Sequence, residues 1–110
     1  MATKASFYQP GHTLDYPNTT SNTIPANTIV SLVSRVGVIG MDIKAGETGV
    51  VHVEGVFKMP KITGALPMGT LVYLNSAGSI TSSASGSVPA GYVAASAAAN
   101  DTTVLVKLLG

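Results

Sequence analysis

With 110 residues, a formal net charge of +1, 10% charged residues and no cysteine, the chain is sized for one domain around a modest core. So weak and balanced a charge excludes the electrostatic footprint of a nucleic-acid or anionic-membrane binder. The absence of cysteine excludes a disulfide framework, a thiolate nucleophile and a cysteine zinc site.

A sparsely charged surface rich in small residues suits close contact with another protein, and small domains without disulfides commonly gain stability by oligomerising. The first residues, Met1 to Tyr8, lack the apolar core of a signal peptide. Ser31, Ser34 and Arg35 interrupt the most apolar run well short of the ~18 residues of a membrane span. The expectation is cytoplasmic synthesis with no membrane or nucleic-acid partner.

Residues 1–11 read as an extended arm ending in a turn at Pro10-Gly11, ahead of a single β domain over 12–110. Phe7 and Tyr8 sit in that arm without periodicity. They either fold back onto the domain or dock on a neighbouring chain, because exposed aromatics are costly in water. His12 to Tyr16 alternates weakly and predicts a short strand stopped by Pro17. Asn18 to Asn27, rich in Thr, Ser and Asn, reads as a polar loop outside the core. The sequons at Asn18 and Asn100 are best explained by chance in so Thr-rich a chain.

Thr28 to Val33 and Arg35 to Met41 are β-branched runs broken by small residues. They predict two strands, or one bent strand, with Gly37 and Gly40 at bulges or close approaches. A turn over Asp42–Glu47 leads into Gly46–Lys61, the longest run of β-formers. Its period of two puts Val51, Val53, Gly55 and Phe57 on a core face, and Val50, His52, Glu54, Val56 and Lys58 on the other. Pro60 should end this strand. One helical turn is allowed at Thr63–Leu66. Short strands then follow at Leu71–Leu74 and Ser79–Thr81, with a Ser/Ala/Gly loop over Ser82–Ser87. Val88–Ala99 and Thr102–Leu108, joined at Asn100-Asp101, predict a hairpin. Many short strands with little or no helix indicate an all-β barrel or sandwich.

Catalytic chemistry has little to stand on. There is no phosphate loop, no dinucleotide fingerprint and no zinc-type histidine pair. His52 and Glu54, two apart on one strand face, are a conceivable proton-transfer pair, although a solvated pair is the commoner meaning. No cofactor or metal is expected. Lys58 and Lys61 flank Met59-Pro60 and can meet an acidic partner or simply face water.

An ordered set of motifs carries a resemblance: Tyr8-Gln9-Pro10-Gly11-His12, Leu14-Asp15-Tyr16, Arg35-Val36-Gly37-Val38, Asp42-Ile43, Ala45-Gly46-Glu47 and Gly49. Gly55 to Lys61, Gly69 to Tyr73, Gly91 to Ala95 and Val104 to Leu108 continue it. In these the chain resembles the capsid-decorating (cement) proteins of tailed bacteriophages, also called DUF2190. It departs from the family pattern at His12, where an acidic residue is usual, and in a longer insert over Asn18–Asn27.

The resemblance implies a non-enzymatic β-barrel-like subunit that assembles as a homotrimer. Such a subunit adds to the outside of the expanded capsid at local threefold sites, bridging copies of the major capsid protein against internal pressure. It would reside on the virion exterior. Candidate contact residues for the capsid or a second copy are Phe7, Tyr8, Gln9, Pro10, His12, Tyr16, Lys58 and Lys61. The alternative is a small-ligand or glycan-binding β module using Tyr8, Tyr16, Tyr73 or Tyr92 to stack on sugars.

Overall fold

The computed structural model describes residues 3–109. Met1, Ala2 and Gly110, at the ends of the expected arm and domain, lie outside the described residues. Nine strands and no helix are present among the described residues. They are β1 (Thr13–Pro17), β2 (Ile29–Ser31), β3 (Val36–Ile39), β4 (Thr48–His52), β5 (Val56–Pro60), β6 (Leu71–Leu74), β7 (Ile80–Thr81), β8 (Val88–Ala95) and β9 (Thr103–Leu108). All their pairings are antiparallel, in a four-stranded sheet ordered β1-β4-β3-β2 and a five-stranded sheet ordered β5-β9-β8-β6-β7.

The five-stranded sheet follows directly from period-two alternation. In β9, Val104, Val106 and Leu108 are buried while Thr103 and Leu105 face outward. Its inner face adds Met59, Val72, Ala90 and Val93 to the larger apolar cluster. Burying such side chains is worth about 1.5–3 kcal/mol each. The sheet curls until its edge strands meet at one parallel bridge, Lys61 to Ile80. It does not close into a barrel, so the architecture is a sandwich in which the four-stranded sheet covers the remaining opening.

Strand β3 is the shared wall of two cores, which is why all its residues are buried. Val36 and Val38 enter the larger cluster, while Ile39 joins Ile43, Val51 and Val53 in a smaller one on the opposite face. Gly37 keeps that second face flat, since a Cβ there would lie 2.5 Å from Val51 Cγ2. The residue expected at a bulge or close approach is therefore a close approach.

Three expectations need correction. The single strand predicted over Gly46–Lys61 is two strands in different sheets, broken at Gly55, whose φ is +114°. Parity survives the break, because Val51, Val53 and Met59 are all buried at odd positions, so alternation alone could not reveal it. No helical turn forms at Thr63–Leu66. Gly64 has φ +132°, and Leu66 instead exchanges backbone hydrogen bonds with Ala97 at 3.0 and 2.9 Å.

The polar loop over Asn18–Asn27 is also less external than expected. Asn18 is only 1% exposed, and Ile24 bridges Ile43 over the smaller core. Asn18 Nδ2 donates to the carbonyls of Asn22 and Ile43, both at 2.8 Å, while its Oδ1 accepts from Thr20 N at 2.9 Å. A loop that caps a core needs such an anchor, because buried polar groups are tolerated only when bonded.

Candidate interaction surface

Ahead of β1, Thr3 to Tyr8 form no regular structure. Phe7 is 86% exposed and Tyr8 88% exposed, so neither aromatic folds back onto the domain. The Cα radius of gyration is 15.5 Å, where a compact chain of this size has about 13 Å. The arm's root is held at the crossover between the sheets. Val53 N donates to His12 O at 3.1 Å, and His12 Nδ1 lies 3.1 Å from Glu54 Oε2. Both side chains of that pair are substantially solvent-exposed, so it orients the arm weakly rather than clamping it.

The sequence-derived contact residues divide into three groups. Phe7, Tyr8, Gln9, Pro10 and His12 form one continuous segment, exposed except at the half-buried Gln9. Lys58 lies on the outer face of the five-stranded sheet, opposite Leu105. Tyr16 and Lys61 turn inward: Tyr16 packs on the smaller core, and Lys61 is only 7% exposed. Lys61 Nζ donates to the carbonyls of Ala98, Ala99 and Asp101 at 3.2, 3.5 and 3.1 Å, holding the β8–β9 turn. A lysine expected to be solvated or to face a partner is instead an internal brace.

The proton-transfer pair considered for His52 and Glu54 does not form. Glu54 faces His12, and the His52 ring packs against Phe57 with centroids 5.8 Å apart and planes tilted by 44°. Among the described residues no three His, Cys, Asp or Glu side chains gather as metal ligands. A recess of about 390 Å³ between β2 and the β6–β7 turn is lined by Ile29, Leu74, Asn75 and Val88 among others, without an ionisable group. A smaller one of about 150 Å³ beside Lys58 and Asp101 opens on the outer sheet face. Neither encloses a reacting centre.

Sequence reasoning placed Val56 off the core face and Tyr92 among exposed tyrosines, but missed Leu71, Val33 and the grouping of the exposed apolar residues outside the arm. Leu71, Tyr92 and Val56 stand with Lys107 in one row across the outer face of the five-stranded sheet, beside Leu105 and Lys58. At the β2–β3 hairpin tip, Val33 is 94% exposed with φ +69°. The alternation in β5, β6, β8 and β9 was signal enough for the first group. Nothing in Val30-Ser31-Leu32-Val33 separates a strand residue from a tip residue.

An all-β body with shallow recesses, an uncommitted aromatic arm and exposed apolar rows defines a protein that works through contact surface. The comparisons agree. A family model described as phage cement protein matches residues 8–108, and the chain belongs to that family. Membership gives it a structural, capsid-associated role. No curated protein and no solved structure matches it.

Proposed function

We propose that the protein is a head decoration subunit that binds the outside of the expanded capsid and stabilises it, as a homotrimer at local threefold sites. The observation that carries this reading is the family match over residues 8–108, nearly the whole chain. The largely exposed Phe7 and Tyr8 support a role for the arm in holding the shell. An extended segment adds to a neighbouring strand edge through main-chain hydrogen bonds, and its aromatics fill pockets between them. Few charges need desolvation at such a contact, which favours broad interfaces. Many copies on one shell then hold by avidity. The major capsid protein is the proposed partner, and a second and third copy of this chain complete the trimer.

The test mixes purified protein with expanded, undecorated shells of its phage and follows co-sedimentation, with light scattering for the free protein's mass. Saturable binding, a trimer mass and shells that resist heating better when decorated are expected. Protein that stays in the supernatant as a monomer refutes the reading.

A further inference from the structure

We infer that the β2–β3 hairpin tip, centred on Val33, is a second docking element that enters an apolar recess of the capsid surface engaged by the arm. This rests on the proposed decoration role and names a contact it lacks.

Two independent features of Val33 go unexplained by folding. Its backbone lies at φ +69°, a region that β-branched residues avoid and that Gly or Asn fills at little cost. Its side chain is 94% exposed, so no packing within the protomer compensates. The preceding apolar residue, Leu32, does pack on the smaller core. Strain retained at an exposed apolar position is what a contact site keeps and a merely structural turn sheds.

The tip is also held in place. Leu32 N donates to Arg35 O at 2.6 Å and Ser34 N to Leu32 O at 2.8 Å. Arg35 Nη1 reaches the carbonyl of Leu109, at the end of the other sheet, at 3.1 Å. A braced knob loses little freedom on binding.

Register puts the tip beside the arm. Thr13, His52, Val38 and Ile29 align across the four-stranded sheet, so His12 and the Leu32–Arg35 tip leave it at the same end. His12 leaves the β1 edge and the tip joins β2 to β3, about 10–14 Å away across the sheet, with Val33 about 10 Å further out along the strands. A surface that receives the arm therefore lies within reach of Val33.

The test measures shell binding by co-sedimentation titration, alongside thermal melting and light scattering, for wild type, V33G, V33N and V33L. V33G and V33N are expected to melt at or above wild type, because both suit a positive φ. They are expected to bind shells about tenfold more weakly, the loss of one buried valine side chain, while V33L keeps most of the binding. Wild-type affinity in V33G and V33N overturns the inference and leaves the decoration role standing. A changed self-association mass in those variants overturns it too, since the recess would then belong to a second copy. Wild-type protein that ignores the shells removes the decoration role and this contact together.

Discussion

Replacing Gly91 by alanine tests whether the curled sheet depends on one backbone approach. Gly91 lies in β8 opposite Leu108 of β9, with φ +154°. A Cβ there would fall inside the van der Waals shell of the Lys107 carbonyl oxygen, 2.9 Å from its carbonyl carbon and 3.2 Å from Leu108 Cα. Carbon atoms rest at about 3.5–4.0 Å, so β8 and β9 must part by about 1 Å or more. None of these atoms is a flexible side-chain end that can swing aside. The pair sits within the five-stranded sheet, and Ala90, Val93, Val106 and Leu108 around it are all core. Overpacking alone costs about 1–3 kcal/mol, and weakening one or two buried ladder bonds adds about 1–3 kcal/mol more. Gly91→Ala should therefore destabilise the protomer by about 2–6 kcal/mol, a large share of the 5–15 kcal/mol typical of a domain. Gly78 is the control: its φ is +85° but nothing lies within 4 Å of an added Cβ, so Gly78→Ala should cost only about 1–2 kcal/mol. Urea denaturation followed by far-ultraviolet circular dichroism measures both. Equal losses in the two variants would refute the steric argument, and a Gly91→Ala loss below about 1 kcal/mol would refute the close approach itself.

Asn18→Ala removes both Nδ2 donors and the Oδ1 acceptor that tie the 18–27 loop to Ile43 and Thr20. It should cost about 2–3 kcal/mol in the same denaturation assay. Lys61→Met keeps the apolar stem but strips the donor from the carbonyls of Ala98, Ala99 and Asp101. A loss of about 2 kcal/mol is expected by thermal melting, against less than about 0.5 kcal/mol for the exposed Lys58→Met.

Strand existence was legible where one face is buried and the other wet, as in β9. It was equally legible in β2 and β3, where β-branched runs leave little else to form. The break at Gly55 was not, because odd-numbered burial continues across it and a change of sheet leaves no mark on alternation. Burial of polar side chains was the other blind spot. Asn18 and Lys61 belong to residue types that usually face water, and only the carbonyls brought to them from Ile43 and from Ala98 to Asp101 turn them inward. Those partners are 25 and about 40 residues away and cannot be paired from sequence. In the candidate surface, aromatics without a period left open whether Phe7 and Tyr8 fold back onto the domain, and only their exposure in the structure decides against it. Val33 was hidden because its run has the composition of a strand and only φ marks it as a tip.

The residues that build the cores and the most exposed apolar residues are different ones in this fold. The two cores draw on Val36, Val38, Ile39, Val51 and the inner faces of β5 to β9, and β3 locks them into one body. Phe7, Tyr8 and Val33 belong to neither cluster and are almost wholly exposed. A monomer selected only for its own folding would gain by making those three positions polar, since their exposed apolar surface brings no packing energy and Val33 adds strain. Under the proposed decoration role, a partner that covers them supplies the packing they lack within the protomer. Family membership associates the chain with a capsid, a lattice that presents the same surface many times over. Each protomer can then bind weakly and the shell still be held, because every additional contact on one assembly multiplies the effect of the last.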